Sequence, residues 1–190
     1  MPTAFFRTLA FCLILTIVAL IQATEASAQR RDYMTDEEIE LVRDAQEIDL
    51  RINVLITAID RRFEALKVSF PENQNRKLDE KWGALPTGSR IELLNDIKRL
   101  LQKAIDDIDD VASHKERVYE EGKLTDKQKK KETERFPNAV RNLAAAARRY
   151  QPALRSLGEK ADEPLERGPI LDSLDFCEQI IEASANLPKS

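Results

Sequence analysis

The stretch TDEEIELVRDAQEIDLRINVLITAIDRRFEAL, residues 35–66, sets the architecture. Leu41, Ala45, Ile48, Ile52, Leu55, Ile59, Phe63 and Leu66 recur at steps of three and four, which holds one face of an α-helix apolar. Thr35 and Glu38 have the spacing of a capping box, in which each side chain satisfies a backbone amide at the helix start. Phe70-Pro71 closes the segment, because a residue before proline is pushed out of the helical region. The stretch therefore predicts one long amphipathic helix.

The same pattern returns downstream. Ser89-Arg90-Ile91-Glu92 is a second capping box, followed by an apolar stripe of Ile91, Leu94, Ile97, Leu101, Ala104, Ile108 and Val111. Gly122 should end that helix. Leu124-Thr125-Asp126 opens a third segment, with its stripe at Phe136, Val140, Leu143, Ala147, Tyr150, Leu154 and Leu157. Pro137 and Pro152 predict a break near Phe136 and a kink near Arg148, since each proline removes a backbone hydrogen bond. The last helix is expected over Pro169–Ala185, with Pro169 in its first turn. All five glycines fall between these segments, where helix terminators belong. Nothing in the chain alternates like a strand. The expected fold is all-α: an antiparallel helical bundle of about four helices, the first two long and coiled-coil-like. Residues 35–186 make up the single domain, and residues 29–34 form a flexible lead-in.

Before them lies a different kind of sequence. Arg7 precedes an apolar run from Leu9 to Ile21, and Ala26-Ser27-Ala28 offers small residues where a signal peptidase reads. Residues 1–28 are read as a signal peptide, with the chain exported to the periplasm or secreted. The alternative is an uncleaved membrane anchor, for which Arg30 and Arg31 leave the flanking charge ambiguous. Membrane association is expected only in that case. Removing the segment takes away Arg7 and Glu25, so the formal charge of −4 is unchanged. An acidic exported protein has no electrostatic basis for binding nucleic acid.

Chemistry is sparse. The chain has one histidine and two cysteines, and Cys12 lies in the export segment. Cys177, among Leu174, Phe176, Ile180 and Ile181, is expected to be buried. There is no nucleophile elbow, phosphate loop, zinc helix or calcium loop, so no cofactor is expected and the protein is read as non-enzymatic. Asp107, Asp110 and His114 share a helix face and are the candidate divalent-metal ligands, although that face lies opposite the apolar stripe. Trp82, the lone tryptophan, sits in the long connection before Ser89. It either folds back over the bundle end or serves as an exposed anchor for a partner. Arg141, Arg148 and Arg155 recur every seven residues beside the third stripe, where they pair with carboxylates of a neighbouring helix or form a groove for an acidic ligand.

Leu124-Thr125-Asp126-Lys127-Gln128 resembles the Leu-Thr-x-x-Gln motif of small periplasmic helical stress chaperones and sensors, with Met34-Thr35-Asp36-Glu37-Glu38 a looser echo. The resemblance spans five residues and no family is assigned from it. It implies one role, binding of unfolded clients. The functional expectation is an exported helical protein that binds an envelope protein or a client. The alternatives are a divalent-metal-binding protein and a structural component that forms homo-oligomers.

Overall fold

Thr35 caps its helix as the spacing requires. Its hydroxyl accepts from the Glu38 amide at 3.3 Å, and its own amide donates to Glu38 Oε2 at 3.1 Å. The helix that follows is short: α1 is Asp36–Asp44, and α2, Ile48–Ala65, starts after a break. This corrects the single long helix expected over 35–66. The Ala45 carbonyl, which would continue the helical ladder, instead accepts from Arg51 Nε at 2.9 Å, and Glu47 is extended. The turn lets the chain double back, so Glu38 comes to lie on α2. At the far end, Lys67 takes the left-handed position at φ 64°, and Val68 donates to the Phe63 carbonyl at 2.8 Å. Together with Lys67 donating to Glu64, this is a Schellman cap in which lysine stands where glycine is usual.

The computed structural model describes residues 31–71, 80–120, 126–161 and 163–187, with backbone alone over 114–120 and 126–133. The export segment, Gly122 and the Leu124-Thr125 start lie outside the described residues. A 3₁₀ turn, Glu80–Trp82, precedes α3, Arg90–Glu120; then come α4, Asp126–Glu159, and α5, Pro164–Ala185. Among the described residues the chain is all-helical, with no strand. None of these helices is long and apolar enough to cross a membrane.

Ser89 and Glu92 cap α3 reciprocally: Ser89 N donates to Glu92 Oε2 at 2.7 Å and Glu92 N to Ser89 Oγ at 3.3 Å. The two longest helices are thus α3 and α4, not the first two. In α4 the helix runs through Pro137, where a break was expected, and also contains Pro152. A proline inside a helix costs about 3 kcal/mol. Burial of Ala139, Leu143, Ala146, Ala147, Tyr150, Leu154 and Leu157 on one face is large enough to offset it. Similarly, α5 begins five residues before Pro169, with Pro164 in its first turn and Pro169 inside it. Gly158 and Gly168 therefore lie within helices, contrary to the terminator reading.

Side-chain contacts give the directions of packing. Asn142 on α4 bonds Asn53 on α2 at 3.1 Å, and seven residues on Arg149 reaches Asp60, so α2 and α4 run the same way. Arg90 meets Glu166 and Lys98 meets Asp172, so α3 and α5 also run together. Helices consecutive in sequence reverse direction, as the Arg148–Ser184 bond between α4 and α5 requires. Around the core the order is α2, α3, α5, α4, with no contact between α2 and α5 among the described residues. Ala144, Ala146 and Ala147, all buried, let the neighbours of α4 approach closely.

The compact unit starts at Tyr33, two residues before the expected boundary. Tyr33 and Met34 pack against the core, and Arg62 donates to the Tyr33 carbonyl at 2.6 Å. That bond ties down the end of the expected flexible lead-in.

Candidate functional site

Ile59 and Phe63 belong to the apolar stripe of α2, and the three residues between them are Asp60, Arg61 and Arg62. All three are buried. A charge in that position is tolerated only with a partner, and each has one. Glu38, 0% exposed, is the partner of both arginines. Its Oε1 lies 3.1 Å from Arg61 Nε and accepts from Arg62 Nη1, while its Oε2 caps Thr35. Arg62 also donates to the carbonyls of Ala58 and Tyr33, and its Nε lies 3.8 Å from Asp96. Arg61 donates to the Ala84 carbonyl, and its guanidinium sits 5.5 Å from the centre of the Trp82 ring. Burial lowers the Arg61 pKa, and the charge of Glu38 opposes that shift.

On the other side of α2, Asp60 accepts from Arg149 Nη2 through both oxygens at 2.7 Å, and from the Tyr150 hydroxyl at 2.7 Å. Tyr150 is fully buried and stacks on Phe63 at 5.1 Å. Its pKa is driven well above the ordinary phenol value by burial and then by the Asp60 charge. The pKa of Arg149 is raised: Tyr150 and Asp60 together outweigh the effect of burial. These two clusters hold α1, the loop before α3, and α4 onto α2. Guanidiniums keep their protons at physiological pH and the carboxylates are already engaged, so the chemistry here is clamping.

The expected site residues lie elsewhere. Trp82 is 7% exposed and packs in the core, as the fold-back reading requires; a ring held there is not available as a surface anchor. Asp107 is half-buried and lies 3.2 Å from Lys103 Nζ on its own helix, so it does not sit wholly on the solvent side. Asp110 is exposed, with its carbonyl accepting from the Ser113 hydroxyl at 2.9 Å. The side chain of His114 lies outside the described residues. Among the described residues no three His, Cys, Asp or Glu side chains are grouped to hold a metal ion. Cys177 is buried, and burial pushes its thiol up to about 12.

The arginines of α4 divide. Arg141 is half-buried; Arg148 is exposed and donates to the Ser184 hydroxyl at 3.2 Å rather than to a carboxylate. Arg149, one position on from Arg148, pairs with a carboxylate on a neighbouring helix, Asp60, and the seven-residue spacing passes over it. Arg155 is exposed and lines a groove of about 390 Å³ between α4 and α5. Arg167 stands on its α5 side, and Ile170, Leu171 and Leu174 form its floor. A second, more apolar cleft of about 170 Å³ lies among α3, α4 and α5, lined by Ile105, Ile108, Phe136, Val140 and Ile180.

Sequence reasoning missed Glu38, Asp60, Arg61, Arg62, Asp96 and Arg149 as a set. The signal was three consecutive charges inside an apolar stripe, a pattern that demands partners on more than one side of the helix. No family model, curated protein or solved structure matches the chain.

Proposed function

We propose that the chain is an exported, non-enzymatic helical protein that acts by contact, binding an envelope protein or an unfolded client on its α4–α5 face. The observation that carries this reading is the groove beside Arg155. Leu171 in its lining is 59% exposed and stands with the partly buried Leu174, so apolar surface is open to solvent between Arg155 and Arg167. The export reading of residues 1–28 supports a place of action in the envelope. The buried ion clusters support a rigid scaffold, because the helices that frame the groove are fixed to α2 and α3 by Arg149–Asp60 and Arg90–Glu166.

Suppression of the thermal aggregation of a reporter enzyme tests the proposal, with the parent chain set against Leu171→Glu. The parent should delay aggregation at stoichiometric amounts, and the variant should lose most of the effect while its melting is unchanged. A parent chain that gives no protection, and that crosslinks to no envelope protein in its own fraction, sinks the reading.

A further inference from the structure

We propose that the α4–α5 groove receives an acidic amphipathic helix, its apolar side chains seated on Leu171 and Leu174 and its flanking carboxylates paired with Arg155 and Arg167. This rests on the contact function above and names the chemistry of the partner.

Four observations combine. First, four arginines at helix junctions are matched to carboxylates: Arg61 and Arg62 to Glu38, Arg149 to Asp60, Arg90 to Glu166. Arg155 and Arg167 are exposed, and among the described residues neither makes an ion pair. Second, they stand on opposite banks of one groove, Arg155 on α4 and Arg167 on α5, with apolar side chains between them. At 100° per residue, Arg167, Leu171 and Leu174 share one face of α5, so charge and apolar surface are offered together. Third, Glu159 is the one carboxylate among the described groove residues, against two arginines, on a chain of formal charge −4. Fourth, Gly158 places no side chain on the α4 wall, and a Cβ there would lie 3.4 Å from Ile170 Cγ2.

An apolar strip with cationic edges is complementary to a helix that carries Leu or Ile at i, i+3, i+4 and i+7 with Asp or Glu beside them. Arg148, exposed two turns before Arg155, extends the edge by about 10.5 Å. That length matches carboxylates seven residues apart on the incoming helix. A polyanion without an apolar face would satisfy the arginines and leave Leu171 in water, so it is the poorer match.

The test uses the full chain and fluorescein-labelled synthetic helices, read by fluorescence anisotropy. The helices share one Leu stripe flanked by Glu, by Gln or by Lys. The Glu helix should bind roughly tenfold more tightly than the Gln helix, the scale of two partly exposed ion pairs. The double variant Arg155→Glu, Arg167→Glu should lose the Glu helix and gain the Lys helix. Arg43→Glu, on the remote α1 surface, should change neither. Both variants alter exposed side chains, and unchanged circular-dichroism melting confirms that they fold. Equal binding of the Glu and Gln helices, or equally effective competition by polyglutamate, overturns the proposal. If that happens while client protection still depends on Leu171, the contact function survives and only the partner's chemistry is wrong. Absence of both protection and helix binding removes both.

Discussion

Arg61 and Arg62 on α2 are 2% and 1% exposed, with their charge spent inside the molecule on Glu38 and on backbone carbonyls. Arg155 and Arg167, on the α4–α5 face, are open to solvent beside an apolar groove and make no ion pair among the described residues. The same side chain serves opposite purposes. On α2 it has been taken out of water at a high desolvation cost, which is recovered only while every partner stays in place. On α4 and α5 it is exposed and makes no ion pair among the described residues, which leaves it available to something outside the chain. The buried pair is therefore part of the scaffold, and the exposed pair is the one proposed for recognition.

The largest effect should come from Glu38→Ala. It leaves two buried guanidiniums beside each other with Asp96, 3.8 Å from Arg62 Nε, as the remaining nearby carboxylate, and it removes the Glu38 half of the α1 capping box. Breaking a buried pair by deleting one partner costs about 3–5 kcal/mol. Urea unfolding should show a loss of that size, and proteolysis should release residues 33–45 first. Replacing the whole cluster with apolar residues (Glu38→Leu, Arg61→Met, Arg62→Met) should recover most of the loss. A loss in Glu38→Ala no greater than that of an exposed substitution would erase the contrast.

Residues 35–66 show how far local pattern reaches. The capping boxes at Thr35 and Ser89 and the burial of Cys177 were all legible, because each depends on near neighbours in sequence. The break at Ala45 was not. It exists because Arg51 captures a carbonyl and because Glu38 must reach Arg61 and Arg62, and no helical wheel contains either fact. Pro137 failed as a breaker for the converse reason: tertiary burial outweighed a known local penalty. The candidate site was legible only in part. Arg155 was named from its spacing, whereas its α5 counterpart, Arg167, belongs to the groove through the packing of two helices.

The next effect is an alkaline one. The Tyr150 phenol and the Cys177 thiol both have raised pKa values in the folded chain, the first through burial and the Asp60 charge, the second through burial alone. The unfolded chain releases these protons first. Stability is therefore whole below the ordinary thiol value of 9.0 and falls as pH rises from there toward about 12. The denaturation midpoint measured against pH should bend downward above 9.0, and Cys177→Ala should flatten the first part of the bend. Thiol labelling in native buffer should be slow and should accelerate sharply on unfolding. Rapid labelling of the native chain would contradict the burial.

Smaller again is Tyr150→Phe, which keeps the stacking on Phe63 and removes only the hydroxyl. Asp60 retains both contacts to Arg149, so the lost hydrogen bond to a charged acceptor should cost about 1.5–3 kcal/mol at neutral pH. The variant should also lose the upper part of the alkaline bend, a change that simple loss of packing would not produce.

The smallest predicted effect is the one the contrast most depends on. Arg155→Ala with Arg167→Ala removes two charges from the surface and, on the geometry of the groove, no intramolecular ion pair. Exposed substitutions of this kind stay within about 0.5 kcal/mol, so unfolding should be unmoved, while capture of the acidic helix should fall. A clear loss of stability would mean that these side chains cover apolar surface through their stems, as long cationic side chains can. In that event Arg155 and Arg167 would belong with Arg61 and Arg62 as parts of the scaffold, and the α4–α5 face would have no charge to spare for a partner.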